Sequence, residues 1–153
     1  RDIAFTAPQL QAQLDRKFPR DYKKLGGLLN FSLMNPRLSL PPGGRLHLDF
    51  DIGMGGPGSA RTPSGHFSVE SGLRFDPGTR GLHMDQPQIV AVDVPALGGV
   101  MNDGARNMLN SWLLDYAREE PVYRLDDSTV GRMASRRIER VDIDPGLITI
   151  RLD

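Results

Sequence analysis

Two long regions of this chain space their hydrophobic residues differently, and that difference constrains the fold more than any other feature of the sequence. Over residues 28–94, apolar and polar residues alternate, most strictly over 46–52, which is typical of strands with one buried face. Over residues 101–116 the apolar positions recur every three or four residues, which indicates an amphipathic helix. Strands followed by a long helix predict an α+β fold in which the helix covers the apolar face of an antiparallel sheet.

Shorter signals flank these two regions. Thr6, followed three positions later by Gln9, predicts a capping box at the start of an N-terminal helix. Asp126 or Asp127 is suited to cap a second, short helix. The sequence Pro145-Gly146 favours a type II turn, so we expect the chain to close with a β-hairpin.

Interruptions divide the alternating region into separate strands. The alternation changes parity after Asn35-Pro36, which predicts a bulge or bend. We expect a short strand around Leu82 and Met84 and a further strand over residues 89–94. Gly, Pro and Ser dominate residues 53–65, which predicts a long flexible loop between strands. This loop lacks the Gly-Lys-Ser/Thr ending of a phosphate-binding loop.

Composition narrows the class of protein. A length of 153 residues predicts a single domain over residues 1–153. The 19 basic residues balance the 19 acidic ones, so we expect no binding to nucleic acid through bulk positive charge. Because the chain has no cysteine, it has no disulfide framework and no thiol nucleophile.

The residues available for chemistry are few. The alternating positions His47, Asp49 and Asp51 share one face of a predicted strand, where they could bind a divalent metal or serve a hydrolase. The simpler interpretation is that these are the solvated positions of a half-buried strand. No G-x-S-x-G, S-x-x-K or H-E-x-x-H motif is present, so we expect no enzymatic activity.

Two clusters of basic residues allow two interpretations. Each could face phosphate groups or an anionic surface, or each could be an ordinary solvated face diluted by neighbouring acidic residues. The first cluster comprises Arg16, Lys17, Arg20, Lys23 and Lys24, and the second comprises Arg132, Arg136, Arg137 and Arg140.

The second half of the chain resembles a known family. The similarity is carried by the helix from Met108 to Tyr116, by the P-x-Y-x-L segment at 121–125, and by the closing hairpin around Pro145-Gly146. Together these resemble the YceB-like bacterial lipoproteins, and the resemblance covers nearly the whole chain except the loop at 53–65.

The resemblance implies a location and an architecture. Members of that family carry a lipoprotein signal peptide and a lipid-modified cysteine, are exported to the periplasm, and are held on a membrane, here expected to be the outer membrane. Because the chain starts at Arg1, we expect the anchor in a segment upstream. The family's fold is similar to the tubular, BPI-like lipid-binding architecture, so we expect a strongly curved sheet wrapped around the long helix. The resemblance implies no enzymatic activity and no cofactor.

Two functions follow as expectations. The first is a non-enzymatic periplasmic lipoprotein that binds a lipid or another apolar ligand between the sheet and the long helix. The second is a structural or protein-interaction module of the cell envelope, with a fully packed core and a possible envelope protein as its partner. For the first function, the expected lining of the apolar cavity is Phe31, Leu48, Phe50, Val69, Met108 and Trp112.

Overall fold

Nine strands and three helices make up the described parts of the chain, which are residues 2–24, 29–55, 62–95 and 98–153 of a computed structural model. The first half contains β1 (Ile3–Thr6), α1 (Ala7–Lys17), β2 (Arg20–Lys24), β3 (Leu29–Ser39), β4 (Leu46–Gly55) and β5 (Gly65–Asp76). The second half contains β6 (Gly81–Asp93), α2 (Gly98–Glu119), β7 (Tyr123–Arg124), α3 (Asp127–Met133), β8 (Ile138–Asp144) and β9 (Leu147–Leu152).

The strands form two antiparallel sheets, so the α+β class is confirmed. Six strands pair in the order β2-β3-β4-β5-β6-β7, and three pair in the order β1-β9-β8. The closing hairpin is confirmed as β8 and β9, with Gly146 in the left-handed conformation (φ 75°) that a type II turn requires. The hairpin belongs to the smaller sheet because β1 pairs with β9 over four positions, from Ile3 opposite Ile150 to Thr6 opposite Leu147.

The long helix packs on the apolar face of the six-stranded sheet. The alternation predicted for β4 is confirmed, because its apolar side chains at 46, 48, 50 and 52 are all buried. Trp112 of α2 lies edge-on to Phe50 and Phe67, with ring centroids 5.9 Å apart in each pair. Leu109 and Leu113 on the same helix are fully buried. That the sheet wraps around the helix stays a prediction.

Two local predictions, the cap of the first helix and the bulge after Asn35-Pro36, are confirmed. The hydroxyl of Thr6 accepts a hydrogen bond from the backbone N–H of Gln9, and the Gln9 side chain accepts one from the backbone N–H of Thr6. The predicted bulge is present in β3, where the register with β4 shifts between Met34 and Arg37 and Asn35 has a φ of 52°.

Two expectations about strands are wrong, and one strand was not expected. The two strands expected around 82–84 and 89–94 are one continuous strand, β6, which passes Pro87 through register shifts against β5 and a left-handed Gln86 (φ 51°). The basic segment at 20–24 is the edge strand β2, paired with β3. The loop expected at 53–65 is shorter, because β4 extends to Gly55 and β5 begins at Gly65. Positions 56–61 of that loop lie outside the described residues.

None of the helices in the described part of the chain combines the length and the apolar composition needed to cross a membrane.

Candidate functional site

A groove of about 740 Å³ lies where the two sheets approach each other. One wall is the C-terminal end of β5, which belongs to the six-stranded sheet, and another is β8, an edge strand of the three-stranded sheet. The last turn of α3 and the residues after it form the third wall. We call this feature the arginine groove, for the residues described below.

Local hydrogen bonds hold α3 in this position. The carboxylate of Asp126 accepts a hydrogen bond from the backbone N–H of Thr129 at 2.7 Å and so caps the helix. Hydrogen bonds from Thr129 also hold the pKa of Asp126 below its ordinary value. Immediately before the cap, the N–H of Leu125 donates to the carbonyl oxygen of Arg80 at 2.9 Å, which ties the helix to the turn between β5 and β6.

The interior of the arginine groove is apolar. Each wall contributes two of the larger apolar side chains, which are Leu73 and Phe75 from β5, Val130 and Met133 from α3, and Ile138 and Val141 from β8. Leu73 and Met133 are buried, while the other four are only half-buried and so present apolar surface to the groove. An open apolar surface that three elements share is the usual lining of a small-molecule site.

Every charged residue that lines the groove, among those that the structure describes, is an arginine. The described lining contains five arginines and no acidic residue, lysine or histidine, and the five are Arg74, Arg80, Arg136, Arg137 and Arg140. Two of these come from the six-stranded sheet or its β5–β6 turn, and three come from the segment that joins α3 to β8 and from β8 itself. The arginines therefore come from different walls of the groove.

The arginines also pair with neighbouring carboxylates outside the lining. Arg137 Nε lies 3.3 Å from Asp153 Oδ2, and Arg140 Nε lies 3.0 Å from Asp142 Oδ1. The side chain of Arg137 is 80% exposed and that of Arg140 is 62% exposed. Since these contacts use the Nε atom of each guanidinium, no described residue accepts a hydrogen bond from the terminal nitrogens, which can donate to another acceptor.

The opposite side of the groove is paired in the same way. Arg80 Nη1 lies 2.8 Å from Asp127 Oδ1, and Arg74 Nη1 lies 3.6 Å from Asp76 Oδ2. The backbone N–H of Gly78 and the charges near Asp76 hold the pKa of that carboxyl below its ordinary value, so Asp76 is ionised at neutral pH.

The six residues expected to line an internal cavity lie together between the sheet and α2. Five of them are buried, which are Phe31, Leu48, Phe50, Val69 and Trp112, and Met108 is half-buried against the same core. The ring of Tyr22 stacks on that of Phe31, with centroids 5.1 Å apart, so the protein itself occupies part of the space beside Phe31. None of the six lines the arginine groove. Their role in binding a ligand stays a prediction.

This core contains a buried hydroxyl that lacks a hydrogen-bond partner. Tyr116 is 4% exposed, and among the described residues its hydroxyl has no acceptor or donor within reach. Burial raises its pKa well above the ordinary value. An unpaired buried hydroxyl costs stability, so this atom is a weak point of an otherwise apolar core.

The side chains of the candidate metal site on β4 take part in separate polar contacts. His47 Nε2 lies 3.5 Å from Glu70 Oε2, and Asp51 Oδ1 lies 3.2 Å from His66 Nδ1. Asp51 also accepts a hydrogen bond from Asn35 at 2.7 Å. Within the residues that the structure describes, no three His, Cys, Asp or Glu side chains are grouped so as to hold a metal ion.

The sequence indicated only one side of the arginine groove. Arg136, Arg137 and Arg140 belong to a basic cluster visible in the sequence, and the structure places all three in the lining. Arg132 of the same cluster lies outside it. Arg74 and Arg80 join them only through the approach of β5 to β8, for which the local sequence carries no signal.

Comparisons with known proteins leave the family open. No protein-family model matches the chain, and no curated protein matches it. Among solved structures, the chain is similar to a crystal structure of lipopolysaccharide binding protein, with 14% identity and a TM-score of 0.37. The match covers 99% of this chain and 40% of the other, so the chain spans about two fifths of that protein's length. A likeness this distant assigns neither a family nor a ligand.

Proposed function

We propose that this protein is a non-enzymatic binding protein for a lipid or another ligand with a long apolar chain, and that the arginine groove is its binding site. The observation that carries the proposal is the half-buried apolar surface of Phe75, Val130, Ile138 and Val141 inside the groove. Because these side chains face one another across three elements, a bound alkyl chain would shield all of them from water at once.

The size of the groove supports this function. Its volume of about 740 Å³ lies within the range of roughly 300–1,000 Å³ typical of small-molecule sites. Each buried CH₂ contributes ~0.8 kcal/mol, so two carbons of chain length change the dissociation constant by about ten-fold. We therefore expect affinity to rise steadily with chain length until the groove is filled.

Mutation of the groove wall tests the proposal. Wild-type protein should bind a fluorescent fatty-acid probe. It should also retain lipid that native mass spectrometry detects. Val141→Asp on β8 places a charge in the apolar interior, and we expect it to weaken probe binding by at least about ten-fold. The matched control is Val90→Asp, since Val90 is a strand valine on β6 that is 48% exposed and outside the groove. Absence of uptake by the wild type, or equal uptake by V141D, would contradict the proposal.

A second candidate function is a protein-interaction module of the cell envelope. The observation that favours it is the packed core, in which Trp112 contacts the rings of Phe50, Phe67 and Tyr22. On this alternative, ligand uptake is absent, and crosslinking in intact cells captures one specific envelope protein.

The proposal extends to location. Export to the periplasm and attachment to the outer membrane through an N-terminal lipid are supported by the resemblance to the YceB-like lipoproteins. Fractionation of cells that express the natural gene, together with the mass of the mature N terminus, tests both points. A cytosolic protein without a lipid would contradict them.

A further inference from the structure

We propose that the ligand of the arginine groove carries a phosphoryl group, which the arginines on both sides of the groove bind while the apolar interior holds the chain. This inference rests on the proposed function, because it names the headgroup of the same ligand. The described lining consists of apolar residues and arginines, so the two parts of the ligand correspond to the two parts of the lining.

The first support is the balance of charge. Within the described residues, five arginines line the groove and outnumber the four side-chain carboxylates that pair with them, which are those of Asp76, Asp127, Asp142 and Asp153. Asp142 is shared further, because its Oδ2 also lies 2.8 Å from Arg151 Nε. The positive charge is thus incompletely compensated by the protein itself, which favours an anionic ligand over a neutral one.

The second support is the supply of free donors. Arg137 and Arg140 each contact their carboxylate through Nε, so four N–H groups of each guanidinium point elsewhere. Arg136 uses Nε and one terminal nitrogen on the main-chain oxygen of Asp153. A guanidinium is planar and presents its donors in a fixed fork, which suits the oxygens of a phosphate.

The third support is the backbone of Arg80. This residue has a φ of 55°, in the left-handed region that favours glycine. The fold nevertheless holds a long cationic side chain there, at the edge of the groove and directly before Gly81, the first residue of β6. Uncommon backbone conformations of this kind concentrate at binding sites.

A phosphoryl group fits this arrangement better than a carboxylate. A carboxylate offers two oxygens in one plane, whereas a phosphate monoester offers three and carries up to two charges. Since the arginines come from different walls of the groove, a headgroup with three terminal oxygens offers acceptors to donors from both sides. A headgroup with two coplanar oxygens is served fully by one side.

Binding of four probes by calorimetry tests the inference, with every amphiphile kept below its micelle concentration. The probes are dodecyl phosphate, dodecanoate, monododecanoylglycerol and inorganic phosphate. We expect dodecyl phosphate to bind at least about ten-fold more tightly than the neutral glyceride and more tightly than dodecanoate. The double variant R137Q/R140Q should lose most of that advantage and keep its affinity for the glyceride. Arg118→Gln on α2 is the control, because Arg118 is an exposed arginine paired with Asp115 outside the groove.

The outcomes separate the two proposals. If none of the three amphiphiles binds, the proposed function itself is wrong. If all three bind equally, the apolar groove stands and the phosphoryl inference fails. If dodecanoate binds as tightly as dodecyl phosphate, the groove does not prefer a phosphoryl group to a carboxylate, and the inference also fails. If inorganic phosphate binds as tightly as dodecyl phosphate, the site takes a free anion rather than a lipid headgroup, and the inference is overturned.

Discussion

The Nη1 atom of Arg80 lies 2.8 Å from Oδ1 of Asp127, and this contact joins the β5–β6 turn to the first residue of α3 at the mouth of the arginine groove. Both side chains are largely exposed, at 57% and 94%. Exposed ion pairs of this kind contribute little to stability, so the contact serves chiefly to orient Arg80 and to offset its charge.

Removal of that carboxylate should therefore strengthen anion binding without unfolding the protein. For Asp127→Asn, we expect a melting temperature within about 2 °C of wild type. Because Arg80 then lacks its partner, affinity for dodecyl phosphate should rise about two- to five-fold at low salt. Thermal denaturation and calorimetry check the two parts. A fall in affinity would show that Asp127 orients Arg80 more than it competes with the ligand.

One glutamine of α1 forms hydrogen bonds to two backbone groups of β3. Gln11 Nε2 donates to the carbonyl oxygen of Pro36 at 2.7 Å, and Gln11 Oε1 accepts from the N–H of Leu38 at 2.8 Å. These backbone groups flank the bulge of β3, where strand pairing is interrupted. Gln11→Ala should lower the free energy of unfolding by about 1–3 kcal/mol, since both groups then lose a partner. Urea denaturation measures the change, with Asn110→Ala on the exposed side of α2 as the control.

Removal of the unpaired hydroxyl in the core should stabilise the protein. Tyr116→Phe keeps the ring beside Trp112, 5.2 Å away between centroids, and eliminates a buried polar atom. We expect the free energy of unfolding to rise by about 1 kcal/mol, measured by urea denaturation. Tyr123→Phe is the control, because that ring is only half-buried. If Y116F is clearly less stable than wild type, the hydroxyl has a partner that contributes to the fold.

The raised pKa of Tyr116 predicts that the protein loses stability at alkaline pH. Burial raises the pKa of folded Tyr116 above the value of about 10 that the unfolded chain has. The unfolded state therefore releases the proton first, and stability falls as the pH rises above 10. Denaturation measured from pH 8 to 11 should show this decline in the wild type and a smaller decline in Y116F. An identical slope in both proteins would assign the effect to other groups.

Acid should destabilise the protein through Asp51. Its hydrogen bond from Asn35 and its ion pair with Arg37 hold its pKa below the ordinary value. A lowered pKa in the folded state contributes stability above the unfolded value near 4, and that contribution is lost as the pH falls through the folded value. Asp51→Asn should therefore reduce the loss of stability between pH 5 and pH 2. Asp103→Asn, at an exposed position of α2, should leave the loss unchanged.

Features set by neighbouring residues could be predicted from the sequence, and features set by distant pairing could not. The cap at Thr6, the bulge after Asn35 and the alternation of β4 each depend on residues a few positions apart. The strand β2 could not be predicted, because its composition is charged and it exists as a strand only by pairing with β3. The separate three-stranded sheet likewise depends on β1 finding β9 across the whole chain.

The candidate site shows the same limit. The basic cluster of Arg136, Arg137 and Arg140 could be recognised from the sequence, because these residues are close together in the chain. The sequence therefore allowed the hypothesis that this cluster binds anions. The apolar residues of β5 read as ordinary alternating strand positions, and Phe75 gives no sign that it faces an open groove. Only the approach of β5 to β8, which is a tertiary contact, converts these separate patterns into one lining.

The pairing of β1 with β9 has a consequence for synthesis. Ile3 is among the first residues that a ribosome adds to this segment, and its partner Ile150 is among the last. Throughout translation of the region between them, β1 has an unpaired edge and the apolar side chain of Phe5 lacks its final surroundings. We therefore expect the smaller sheet to assemble only after the C-terminal hairpin has left the ribosome. Until then, we expect chaperones that bind extended apolar segments to bind the nascent chain.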